Sequence, residues 1–154
     1  MSTPRPLLFV IESLSVGGAE RVVVNLANVL PRAAWRPHVL CLRGPGPLAE
    51  ALAPDVEVHA LDKRPRLDPA LPGAIRKLSD TIGPAVVNTH LWVANTWSRL
   101  ALRGRVPTVV TEHNRDAWKP WHYRLTDHLL DRWTARLVAV SEDAAAFYRN
   151  EIGI

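Results

Sequence analysis

The chain has 154 residues, 47% of them hydrophobic and 22% charged, with a formal net charge of +4 at pH 7. That length suits one domain with its own core, and the composition is that of an ordinary globular chain, not a disordered or fibrous one. No apolar run approaches the ~20 residues a membrane helix needs, and the mildly basic balance admits an anionic partner without naming one.

In chain order, residues 7–11 ("LLFVI") read as a fully apolar, buried first strand. Glu12 and a glycine turn follow at once, which argues against a signal peptide. Residues 19–30 read as an amphipathic helix with Val22, Val23, Leu26, Val29 and Leu30 on one face, stopped by Pro31. Residues 38–42 form the second strand. The single cysteine, Cys41, lies inside it, which excludes an internal disulfide, fits a reducing compartment and makes a buried structural thiol the expectation. A short helix over 48–53 and an edge strand over 56–61 come next. The Pro-rich stretch 63–73 reads as a loop, its cluster Lys63, Arg64 and Arg66 as a solvated one, leading to a helix over 74–82.

The fourth strand, in "PAVVNTH", is expected to end at Asn88 or Thr89, followed by a helix over 93–103. "TVVTEH" is the fifth strand. Residues 122–135 read as a helix with Leu125, Leu129, Leu130 and Trp133 on one side. "RLVAVS" is the sixth strand, and "EDAAAFYRNE" opens a last helix with Ser141 as its N-cap and Glu142 and Asp143 in its first turn. Six short strands alternating with helices predict an α/β domain: a Rossmann-like, doubly wound, mostly parallel sheet with helices on both faces. No repeat, low-complexity segment or linker interrupts residues 1–154, which read as a single domain.

In such folds ligands bind beyond the carboxyl ends of the strands. Gly17 and Gly18 follow the first strand and open a helix. They serve either a plain tight turn or the close approach of an anion to free helical N–H groups. Polar, titratable residues recur at the other strand ends: Asn88, Thr89 and His90; Glu112, His113 and Asn114; Ser141, Glu142 and Asp143. One such histidine is an ordinary structural hydrogen-bonder, but two at carboxyl ends of the same sheet point to a site. Trp92, Trp97, Trp118 and Trp121 gather around the same ends, either as core or as a platform for an apolar or sugar ligand. No metal site is expected from local spacing: H-E-x-x-H, a Cys pair and an i, i+4 His pair are all missing. The G-x-S-x-G elbow, the Rossmann G-x-G-x-x-G and the P-loop are missing too. No basic stripe interleaved with aromatic residues suggests nucleic acid.

Four stretches in order, "SLSVGGAERVVVNLANVL", "VVNTHLWVANTWSRLA", "PTVVTEHN" and "ARLVAVSEDAAAFYRNEIGI", resemble the N-terminal half of the family 4 glycosyltransferases, the GT-B enzymes. The resemblance implies the acceptor-side domain of a retaining, metal-independent transferase that needs no cofactor and moves a sugar from a nucleotide-sugar donor, its co-substrate, to a sugar or lipid-linked acceptor. It implies that Gly17 and Gly18 lie against the donor diphosphate. It implies that His113 contacts the donor sugar at the reacting centre, and that His90, Asn114 and Trp92 shape the acceptor side. The donor-binding C-terminal domain of that family is expected in cis or in trans, and 154 residues alone are expected to be inactive. A cytoplasmic location is implied, with room for peripheral contact at the inner face of a membrane. The alternative is a non-catalytic α/β module, or a truncated remnant, that binds an acceptor or a protein. A nucleotide-dependent oxidoreductase is disfavoured because the second strand ends in Arg43 and not in an acid.

Overall fold

A computed structural model describes residues 3–64, 67–115, 117 and 119–154. The expectations for Arg66 and Trp118 lie outside the described residues. Strands and helices alternate, with a 3₁₀ turn (Pro47–Ala51) in place of a helix between the second and third strands: β1 (Arg5–Ile11), α1 (Gly18–Val29), β2 (Trp35–Cys41), β3 (Glu57–Ala60), α2 (Leu71–Ile82), β4 (Val86–His90), α3 (Trp92–Leu102), β5 (Thr108–Glu112), α4 (Trp121–Leu130), β6 (Arg136–Ala139) and α5 (Glu142–Phe147). The strands pair in parallel in the order β3-β2-β1-β4-β5-β6. This is the doubly wound arrangement, in which the strand order reverses between β1 and β4.

Alternation along the central strands builds two cores. Leu8, Val10, Leu40, Leu42 and Val87 face α2 and α3, where they meet Leu71, Ile75, Ala94, Ala101 and Leu102. Phe9, Ile11, Val39 and Cys41 face the opposite way and meet Val23, Val24 and Ala27 of α1. Neighbouring residues thus serve opposite faces, which is why β1 and β2 read as unbroken apolar runs. No helix among the described residues is long and apolar enough to cross a membrane.

Several boundaries and faces differ from the sequence reading. The buried face of α1 is Ala19, Val23, Val24 and Ala27, whereas Val29 is 74% exposed. Alanines at the sheet contact let the helix backbone approach closely, and three consecutive valines leave the face ambiguous in sequence. α2 begins at Leu71, three residues early, because Pro72 suits a first helical turn. β4 runs through to His90. The helix after β5 stops at Leu130 and continues as a 3₁₀ turn, Asp131–Trp133. Its buried face holds Asp127 and Leu130, while Leu125 and Leu129 face solvent. Asp127 is held there by Arg99 and Lys119, each at 2.9 Å from its carboxylate. Lys63 is buried and not solvated, its Nζ donating to the Arg64 carbonyl at 3.0 Å. Two local expectations hold: the Ser141 hydroxyl accepts from the Ala144 N–H at 3.2 Å as a helix cap, and Cys41 is a free, fully buried thiol whose pKa burial pushes up to about 11.

Candidate functional site

Where the strand order reverses, α1 leaves β1 on one face of the sheet and α3 leaves β4 on the other, opening a crevice beyond their carboxyl ends. Gly17 is the N-cap of α1, with φ −167° and ψ 172°, and no side chain among the described residues caps that helix. This is extended backbone that any residue adopts. The glycines that need a positive φ are elsewhere, at Gly46, Gly83, Gly104 and Gly153. Neither Gly17 nor Gly18 is therefore required by its backbone conformation. A Cβ on Gly18 would meet nothing within 4 Å, and one on Gly17 would run into the Glu20 carboxylate. Glu20 stands three residues after the N-cap and folds back over it, as the acid of a capping box does.

Gly18, Ala19 and Glu20 line a cleft of about 430 Å³ with His113, Asn114 and Val140. Polar N–H groups at the start of α1 thus share one space with a histidine and an amide from the end of β5. Leu91 also lines it, with a left-handed backbone (φ 70°) that turns the chain from β4 into α3. A non-glycine residue in that region costs about 1–3 kcal/mol, a strain that clusters at functional sites. An adjoining cleft of about 340 Å³ is lined by Trp92, Glu112, His113, Asn114 and Tyr123. His113 therefore stands between two clefts.

His113 is held from beneath. Its Nε2 lies 2.9 Å from His90 Nδ1, and His90 Nε2 lies 2.8 Å from Asn88 Oδ1. Asn88 Nδ2 in turn donates to the Val109 carbonyl at 3.1 Å and to the Thr111 hydroxyl at 2.8 Å. A carbonyl only accepts, so the orientation of the Asn88 amide is assigned by this network. Asn88 Oδ1 then needs a donor, which puts the His90 proton on Nε2. His90 Nδ1 is left as an acceptor, so His113 carries its proton on Nε2 and keeps Nδ1 as an acceptor nitrogen. Burial pushes the His90 pKa down to about 3, helped by the neighbouring His113. Burial lowers His113 as well, opposed by the Glu20 carboxylate. Both rings are neutral at pH 7, as this chain of hydrogen bonds requires.

The predicted residues separate into layers. Gly18, His113 and Asn114 face one cleft, Gly17 lies behind under Glu20, and His90 is a fully buried support. Trp92 lies in the adjoining cleft, its ring 4.1 Å from that of Tyr123 between centroids. It also lines a third cleft, of about 560 Å³, with Glu12, Arg43, Lys63 and Trp97. The tryptophans form no single platform among the described residues: Trp97 packs against a core, and Trp121 is 74% exposed. Glu112 is buried and receives a hydrogen bond from Asn95 Nδ2 at 2.8 Å. Sequence reading passed over Glu20, Leu91 and Tyr123 as site residues. Only the position of Glu20, three residues into a helix that starts with glycine, carried a local signal.

The sequence model of the family described as Glycosyltransferase Family 4 matches residues 16–154. No curated protein matches the chain at a significant level.

Proposed function

Since the chain belongs to glycosyltransferase family 4, we propose that it forms the acceptor-side wall of a cleft in which a sugar passes from a nucleotide-sugar donor to a sugar or lipid-linked acceptor. The other wall is the donor-binding domain of the GT-B architecture, supplied in cis or in trans. The reaction retains anomeric configuration and uses no metal. The observation that carries this reading is the convergence of Gly18, His113 and Asn114 on one cleft at the strand-order reversal.

The roles follow from chemistry. N–H groups at the start of α1, with the partial positive charge of the helix end, suit a diphosphate, and the bare Gly18 leaves it room. The Glu20 carboxylate swings off the helix start when the donor arrives, since two anions do not share that position. His113 offers Nδ1 to a donor-sugar hydroxyl next to the reacting carbon. His90 and Asn88 hold that tautomer, so the acceptor nitrogen is aligned before the sugar binds, and no proton has to move to prepare it. Asn114 and Trp92 bound the acceptor side. A cytoplasmic protein with a net charge of +4, touching the inner face of a membrane, suits a lipid-linked acceptor.

The test is sugar transfer by this chain joined to or mixed with its donor domain. His113→Ala is expected to lower the turnover of a labelled nucleotide sugar by at least about a hundredfold, the scale for losing one preorganised hydrogen-bonding group, with an unchanged circular dichroism spectrum. Activity near that of the unmodified protein would exclude His113 from the site and favour a non-catalytic binding module. By calorimetry, the 154 residues alone are expected to bind nucleotide sugars weakly or undetectably, because one wall holds little of the donor.

A further inference from the structure

At the other end of the sheet, β3 is a four-residue edge strand paired to β2 on one side only. In that pairing His38 stands opposite Glu57, and Leu40 opposite His59. Residues two apart on a strand share a face, so Glu57 and His59 project together, beside His38. His38 Nδ1 lies 3.3 Å from His59 Nε2 and 3.5 Å from Glu57 Oε2. The three ligand atoms all fall within 4.8 Å of one another.

Two ligands held at 2.0–2.1 Å by one tetrahedral ion sit about 3.3 Å apart. The spacings from His38 to His59 and to Glu57 match that value. They match a hydrogen bond less well, since 3.3 Å is longer than the usual 2.7–3.2 Å. The ring planes of His38 and His59 differ by only 18°. His38 is 3% exposed, and its other nitrogen, Nε2, has no hydrogen-bond partner among the described residues. An imidazole buried at that cost calls for a strong interaction at Nδ1. His59 is half-buried and Glu57 exposed, which opens a path for an ion and leaves a fourth coordination position to solvent.

We propose that His38, Glu57 and His59 form a binding site for a divalent cation of the Zn²⁺ class, with two imidazoles, one carboxylate and one open position. Imidazole and carboxylate together suit such borderline ions. The site ties edge strand β3 to β2, shares no lining residue with the two clefts at His113, and is independent of the transfer reaction. Local spacing does not reveal it. His38 and His59 are 21 residues apart and meet only through strand register.

The experiment is metal titration of the tag-free 154-residue chain after dialysis against a chelator. Zn²⁺ is followed by calorimetry, and Co²⁺ by the visible absorption of a four-coordinate ion. One equivalent is expected to bind, and to raise the thermal unfolding midpoint. Glu57→Gln, at an exposed position, and His59→Ala are each expected to weaken binding by at least about tenfold, since even outer-shell partners contribute that much. His122→Ala and His128→Ala, both on the exposed part of α4, are expected to leave it unchanged. No bound equivalent, or equal affinity in the Glu57 and His59 variants and the unmodified chain, would overturn the proposal.

Discussion

The His90 ring makes the stability of this domain depend on pH in a window where few other groups titrate. It is fully buried, and its pKa falls from 6.5 to about 3 on folding. A folded-state pKa below the unfolded one means that the unfolded chain takes up the proton more readily. Acid therefore favours unfolding: the stability present above pH 6.5 is lost progressively as pH falls towards 3. Each unit of pH in that range costs about 1.4 kcal/mol for one proton. With only the unfolded chain titrating, the loss between pH 7 and pH 5 is about 2 kcal/mol from His90 alone. His113 and His38 are also lowered by burial and act in the same direction. The lowered carboxylates Asp55 and Asp68 start from an ordinary value of 3.8 and enter only at more acidic pH. The assay is urea unfolding at pH 7, 6 and 5 for the unmodified chain and for His90→Gln, with His90→Asn as a second replacement. Glutamine lowers stability at every pH, so the slope is the quantity that decides. The loss from pH 7 to 5 is expected to be smaller in the variant by about 2 kcal/mol. Parallel profiles would refute the reasoning and show that His90 is protonated, or reached by water, in the folded state.

Three further predictions concern other parts of the fold. Asp127→Asn removes the buried carboxylate that pairs with both Arg99 and Lys119. It should cost about 3–5 kcal/mol, or a fall of roughly 6–20 °C in a calorimetric unfolding midpoint for a chain of this size; a shift under about 2 °C would mean that this ion pair does not hold α4 in place. Cys41, with its pKa near 11 and no exposed surface, should resist alkylation at pH 8 until the chain unfolds, and rapid labelling of the native state would contradict its burial. Gly18→Leu should change stability by less than about 1 kcal/mol, because its side chain enters open space, yet cut sugar transfer by the complete enzyme; unchanged transfer would remove the diphosphate from the start of α1.

Much of this domain was legible in the sequence because it depends on neighbours in the chain. Buried parallel strands declare themselves as short runs of Val, Leu and Ile, and their alternation with helical stretches led to the α/β class and to the six strands. Ser141 capping α5 and the placement of His113 just beyond β5 followed from local pattern alone. Helix faces were less legible. In α1 the sheet chose small residues over larger valines and leucines, and in α4 it chose an aspartate, because packing distance and a buried ion pair outweigh apolarity.

The features that only the tertiary structure decided all depend on strand order and register. Sequence separation does not show that β4 lies between β1 and β5, and that placement sets His90 against His113 and opens the cleft over Gly18. Nor does it show that His38 stands opposite Glu57. A strand's own residues determine that it is a strand, by burial on both faces. Which strand lies beside it, and in what register, is settled by packing the whole sheet against its helices. Both imidazole pairs, His90 with His113 and His38 with His59, are therefore made by non-local pairing.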